Sequence, residues 1–268
     1  MAWRDYRTLS NFGAPKFDSV TPRTAIRARS AWRAGFALLR HALPQACVLC
    51  AAQSHDALLC TACRADMPHA GTACPRCALP AAQNEACGAC LRQPPPYTTT
   101  IAAWRYAFPA DRLLQAFKYG AQLALCDTFA RALVDAVAAR QAPQPDRIAA
   151  VPLATARQRH RGFNHAQEIA RVVSSLTGVP LLAGLRRIRD SPPQAGLARV
   201  ARARNVRGAF ACAATLDGAT VAIVDDVMTT GATLAAAAVA LHDAGAGRVD
   251  AWIVARTPPP SHAPAKSP

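Results

Sequence analysis

Val221-Ala222-Ile223-Val224-Asp225-Asp226-Val227-Met228-Thr229-Thr230-Gly231-Ala232-Thr233-Leu234 passes from an apolar run through an acidic pair and a small-residue turn into a helix-forming stretch. Consecutive apolar residues suit a parallel strand covered on both faces. The pattern puts Thr220 to Asp225 on such a strand, with Asp225 and Asp226 at its carboxyl edge, where open α/β sheets bind ligands. Thr229, Thr230, Gly231, Ala232 and Thr233 follow at once. A turn of this composition lets backbone N–H groups approach an anion, the hydroxyls add donors, and a helix starting near Ala232 aims its positive dipole at the same point. Phosphate fits there. Carboxylates repel phosphate, so Asp225 and Asp226 match vicinal sugar hydroxyls, or a magnesium ion that such hydroxyls share with a pyrophosphate. The chain has no G-x-x-x-x-G-K-[ST], which removes an ATP-type P-loop, and Gly245-Ala246-Gly247 reads as a helix C-cap and turn.

Outward from this stretch, strand and helix patterns alternate. Strands are expected at Ile101 to Tyr106, Arg147 to Val151, Val179 to Ile188, Ala209 to Cys212 and Arg248 to Ala255. Helices are expected at Asp111 to Tyr119, Leu123 to Arg140, Asn164 to Leu176 and Ala232 to Ala244. That alternation predicts an α/β fold with a doubly wound parallel sheet.

Ahead of it lie four C-x2-C pairs: Cys47 with Cys50, Cys60 with Cys63, Cys74 with Cys77, and Cys87 with Cys90. Shifting the first two pairs by 27 positions gives the last two, so the segment is an internal repeat. Each C-x2-C turn presents two thiolates to a tetrahedral zinc, and two turns complete a structural site. The period favours two sequential ribbons and two structural zinc ions, with interleaved pairing as the alternative. A redox role fits one such pair, not four at regular spacing. His55 and His69 are surplus to eight thiolates, and Cys126 and Cys212 sit in apolar contexts. With metal module and loop treated as separable, Cys74→Ser is expected to loosen the second site and leave ligand binding largely intact.

The organisation expected is a basic extension over 1–43, partly disordered with an amphipathic helix at 31–43; a small double zinc-ribbon domain over 44–92; the α/β domain over 97–257 after Pro94-Pro95-Pro96; and a disordered tail over 258–268. No apolar run approaches a membrane span, and residues 1–24 resemble no cleavable signal, so a cytoplasmic location is expected. The net charge is +15, from 31 Lys and Arg against 16 Asp and Glu. From Thr155 to Arg207, Arg residues face only Glu168 and Asp190, a field that draws polyanions. Lysine occurs only at positions 16, 118 and 266. Lys118 therefore stands out as a compact ammonium suited to phosphate, or as a helix-end cation meeting the dipole.

The central stretch resembles the signature of type I phosphoribosyltransferases, which bind 5-phosphoribosyl-1-pyrophosphate (PRPP). The resemblance implies that Asp225 and Asp226, the candidate catalytic pair, hold the ribose 2′ and 3′ hydroxyls, and that Thr229 to Thr233 cradle the 5′-phosphate. Further matches are the cysteine module, Lys118-Tyr119, Val151-Pro152-Leu153 with Arg157, Arg159, Arg161 and Asn164, Gln194-Ala195-Gly196-Leu197, Arg202 with Asn205, and Gly208-Ala209-Phe210. Together these resemble the ComF family of phosphoribosyltransferase-like proteins, associated with competence and DNA uptake, over roughly Cys47 to Ala255. His165 departs from it, standing where Gln is usual.

That resemblance implies Lys118, Arg157, Arg159, Arg161 and Arg202 around the pyrophosphate, with magnesium bound alongside PRPP, and Arg189 to Asn205 as a lid. Thr229 stands where relatives acting on 6-oxopurines carry an Asp base, so no acceptor nucleophile is named. Three readings stay open: a phosphoribosyltransferase of unknown acceptor, a sensor that kept the PRPP or ribose 5-phosphate pocket, and a non-enzymatic single-stranded DNA-binding protein using fold and zinc module as a basic platform. Partners implied beyond the ligand are single-stranded DNA and DNA-uptake or recombination proteins.

Overall fold

The computed structural model describes residues 45–54, 57–82, 84–119, 122–153, 163–189, 206 and 208–259. Strands are β1 (Gln45–Ala46), β2 (Gln53–Ser54), β3 (Thr99–Arg105), β4 (Arg147–Ala150), β5 (Leu185–Arg187), β6 (Phe210–Cys212), β7 (Thr220–Met228) and β8 (Arg248–Arg256). Helices are α1 (Thr61–Ala65), α2 (Gly88–Arg92), α3 (Ala110–Tyr119), α4 (Leu125–Ala139), α5 (His165–Thr177) and α6 (Ala232–Asp243).

Four strands form one parallel sheet in the order β3-β8-β7-β4. Val221 to Val224 and Val249 to Ala255 are buried throughout, as strands covered on both faces must be. Helix α4 packs on β3 and β8, and α5 on β7 and β4; the two helices also pack on each other. Helix α6 packs on β7 and β8 together with the β5–β6 hairpin. The chain crosses from β3 to β4 in one direction and from β7 to β8 in the other, so right-handed crossovers put α6 on the opposite face from α4 and α5. The sheet is thus doubly wound. Among the described residues, no helix is long and apolar enough to cross a membrane.

Two strand expectations change. Val179 to Ile188 is not one strand: Leu181 makes a single parallel bridge to Ile148, and the chain then turns at Gly184 (φ +107°) into β5. β5 pairs antiparallel with β6, outside the parallel sheet. Pro180 and Gly184 interrupt an apolar run that looked continuous. β7 also extends to Met228, past the expected end at Asp225, because Val227 and Met228 continue the ladder to Ala255 and Arg256.

The cysteine module repeats in three dimensions with the period of the sequence. Ala46 pairs with Gln53, and Ala73 with Pro80, 27 positions on. Helices α1 and α2 are related by the same shift, as are the left-handed residues Ala51 (φ 58°) and Ala78 (φ 54°). The module covers the free edge of β3. Thr100 N–H donates to Pro75 O (2.7 Å), Thr100 Oγ1 to Arg76 O (2.6 Å) and Arg105 N–H to Pro68 O (2.7 Å), while His69 bridges to Trp104. An edge strand that would otherwise offer unpaired backbone groups is closed this way. The expected extension over 1–43 lies outside the described residues, as do residues 260–268 of the expected tail.

Candidate ligand site and metal centres

Asp225 and Asp226 occupy consecutive positions near the carboxyl end of β7, so their side chains leave opposite faces of the strand. Asp226 reaches Lys118 Nζ at 3.0 Å, in a pair whose side chains are 13% and 21% exposed. Lys118 is held there by its neighbour. Phe117 is fully buried at the end of α3, its ring edge-on to Phe129 (5.2 Å) and His165 (4.7 Å), and its carbonyl is 3.2 Å from His165 Nε2. The unusual His165 thus packs against α3 from the first turn of α5.

Asp225 is half-buried, and Asp226 N–H donates to its Oδ1 at 2.9 Å. Burial, reinforced by the neighbouring Asp226 charge, pushes the Asp225 carboxyl up to about 8 despite opposing help from Lys118 and the backbone N–H. The pair is therefore asymmetric: Asp226 has a fixed cation, whereas Asp225 is held toward its protonated form.

Thr229 to Gly231 form the turn between β7 and α6. Gly231 is the N-cap of α6 at φ +80°, and its missing side chain leaves the cap without a side-chain acceptor. Thr230 Oγ1 accepts from Ala232 N–H at 3.3 Å. A Cβ on Gly231 would lie 2.6 Å from Met228 Cε and 2.8 Å from the Tyr97 hydroxyl oxygen, so space and backbone both demand glycine. The α6 N-terminus, its dipole and two threonine hydroxyls are gathered within a few residues of the acidic pair, an arrangement able to take an anion beside hydroxyl groups.

Arg256, 4% exposed at the end of β8, braces this turn. Its Nη1 donates to the carbonyls of Met228 (2.9 Å), Thr257 (2.9 Å) and Thr229, and its Nε to Cys77 O (2.7 Å). Sequence reasoning missed Arg256 and Tyr97. A visible signal was an arginine closing the otherwise apolar run Ala251 to Ala255. Arg157, Arg159, Arg161, Arg202 and, of the expected lid Arg189 to Asn205, every residue after Arg189 lie outside the described residues.

The eight cysteines form two clusters, Cys47, Cys50, Cys60 and Cys63, and Cys74, Cys77, Cys87 and Cys90, with sulfurs within 4.8 Å of one another in each. The pairing is sequential. Cys50 and Cys60 sulfurs are 3.7 Å apart, as are those of Cys77 and Cys87. Tetrahedral zinc with Zn–S bonds of about 2.3 Å requires sulfur separations near 3.8 Å, so both clusters fit the metal. Cys63 N–H points at Cys60 Sγ (3.4 Å) and Cys87 N–H at Cys74 Sγ (3.3 Å). Burial opposes ionisation of Cys47 and Cys74, yet backbone N–H groups bring them down to about 6 and about 7. Thiols packed around them are pushed up, Cys77 to about 11 chiefly by burial. Four adjacent thiolates need a cation. His69, exposed, joins neither cluster.

Comparison with known proteins agrees with both modules. A double zinc ribbon domain matches residues 38–91 and a phosphoribosyl transferase domain residues 159–266. The DNA utilization protein YhgH of Salmonella typhi is 33% identical over 224 residues, covering 80% of this chain and 98% of that protein. YhgH of Escherichia coli K12 is 32% identical over 205 residues, covering 74% and 90%. Competence protein F of Haemophilus influenzae is 33% identical over 178 residues, covering 63% and 78%.

Proposed function

The chain belongs to the ComF family of double zinc ribbon and phosphoribosyltransferase-domain proteins, and from that premise we propose that the carboxyl edge of β7 binds PRPP or ribose 5-phosphate in a protein serving DNA uptake or utilisation. One observation carries the reading: Asp225, Asp226 and the Thr229–Gly231 turn stand together at the N-terminus of α6. Thr229, Thr230, Gly231, Ala232 and Thr233 take the 5′-phosphate through backbone N–H groups and hydroxyls. Asp225 and Asp226 accept from the ribose hydroxyls. When PRPP is the ligand, magnesium bound with it neutralises the pyrophosphate, and Arg157, Arg159, Arg161, Arg202 and Lys118 supply further positive charge. Lys118 must first share or release Asp226, which it holds at 3.0 Å.

In the transferase reading, Asp225 and Asp226 orient the sugar while carbon 1 develops oxocarbenium character, and the arginines stabilise the departing pyrophosphate. The acceptor is unassigned. Residues 97–257 make up the domain that does this, and 44–92 the metal module beside it.

A second reading, single-stranded DNA binding, draws on the net charge of +15 and on the Arg-rich stretch from Arg157 to Arg207. A thermal-shift series separates the two. PRPP or ribose 5-phosphate should raise the melting temperature, PRPP more so with magnesium. Stabilisation by an oligonucleotide alone, with none from PRPP or ribose 5-phosphate, would assign the site to DNA.

A further inference from the structure

The second cysteine cluster and the turn after β7 are joined by one buried side chain. Arg256 spans them: Nε donates to the carbonyl of Cys77, a metal-ligating position, and Nη1 to the carbonyls of Met228 and Thr229, which open the turn. Tyr97, buried at the start of the α/β region, brings its hydroxyl oxygen close against Gly231. A buried guanidinium is costly unless its donors are met. Here they are met by carbonyls from two modules at once, so displacement of either leaves a buried cation short of acceptors. A divalent ion held by four thiolates is a net dianion, and Arg256 brings a positive charge to the backbone carbonyl of one of the four cysteines. The first cluster has no such contact with the turn among the described hydrogen bonds.

We propose that Arg256 is a positioning residue through which the second four-cysteine site holds the Thr229–Gly231 turn in its ligand-binding shape, making metal occupancy of that site, and not of the first, a condition for tight ligand binding. The inference rests on the ligand assignment above, and it reverses the expectation that Cys74→Ser spares binding. Metal at Cys74, Cys77, Cys87 and Cys90 fixes the Cys77 carbonyl, which fixes the guanidinium plane, which fixes Thr229 O and the direction of the following N–H groups. Loss of that metal frees the Cys77 turn and lets Arg256 swing with it.

The test compares zinc-loaded wild type, Cys47→Ser, Cys74→Ser, Arg256→Met and the Cys74→Ser/Arg256→Met double variant. Amide hydrogen exchange over residues 228–233 is measured without ligand, and ribose 5-phosphate affinity by calorimetry, with zinc content assayed for each. Cys74→Ser and Arg256→Met should each accelerate exchange in that segment and weaken binding about tenfold, the scale of one lost buried hydrogen-bond partner. Cys47→Ser should do neither, and the double variant should be no worse than either single one. Equal effects of Cys47→Ser and Cys74→Ser, additive effects in the double variant, or unchanged exchange in Arg256→Met would overturn the proposal. If Arg256→Met does not fold, Arg256→Lys, which keeps the charge and loses the fork, enters the same comparison. Wild type that binds neither ribose 5-phosphate nor PRPP with magnesium yet shows the exchange pattern would defeat the ligand assignment and leave the coupling standing.

Discussion

Asp225 sits where a carboxylate charge is resisted. Burial, and then the Asp226 charge, pushes its carboxyl up to about 8, far above the ordinary carboxylate range. A raised carboxylate pKa means the folded state binds a proton the unfolded chain has released. The contribution of this group to stability is therefore fully present below the unfolded carboxylate pKa of about 4 and is lost as pH rises through about 8. Asp225→Asn should remove this part of the pH dependence and raise the melting temperature at pH 8.5, while ligand binding is lost. A melting temperature unchanged or lowered by Asp225→Asn at that pH would show the carboxylate to be well compensated. Gly231 has the opposite character. Gly231→Ala meets Tyr97 and Met228 and adopts a left-handed backbone costing about 1–2 kcal/mol, so it should impair ribose 5-phosphate binding more than it lowers the melting temperature.

At the scale of elements, the described residues of the two ribbons follow one rule applied twice, with the same turns, the same left-handed alanines and the same one-turn helices 27 positions apart. Purified under reducing conditions, the protein should carry close to two zinc ions per chain, and strong chelation should unfold this region before the sheet, because metal binding supplies its folding free energy. One zinc, or iron, measured by elemental analysis would contradict the tandem ribbons. The period-27 cysteines and the apolar runs of β3, β7 and β8 were legible because spacing and burial are written locally. The break in Val179 to Ile188 was harder to read, since Pro180 and Gly184 each sit inside an apolar run and only the pairing partners decide the break. Lys118 was singled out by its rarity, but its contact with Asp226 depends on Phe117 being locked among Phe129, Phe163 and His165. Phe117→Ala should cost about 3–5 kcal/mol of stability, as truncation of a buried phenylalanine does, and a much smaller loss by denaturant titration would show α3 to be held by other contacts.

Across the whole molecule, the metal module is more than an appendage. It completes the open edge of β3 and reaches the carboxyl end of the sheet through Arg256. None of this was legible in the sequence, because Pro68, Pro75, Arg76 and Cys77 contribute backbone carbonyls, which carry no residue signature. The charge of the chain acts at the same scale. If single-stranded DNA meets the Arg157 to Arg207 field, affinity should fall with salt at a log-log slope of about 0.7 per phosphate neutralised, and Arg157, Arg159 and Arg161 replaced together by Ala should reduce that slope. PRPP should compete with the DNA where the two share the turn. The phosphorylated-sugar site at the end of β7 is tested by calorimetric titration of zinc-loaded protein with PRPP and magnesium, wild type beside Asp225→Asn/Asp226→Asn. The expected result is saturable binding by wild type and none by a folded, zinc-replete double variant; equal affinity in the two, or no binding by wild type, would contradict it.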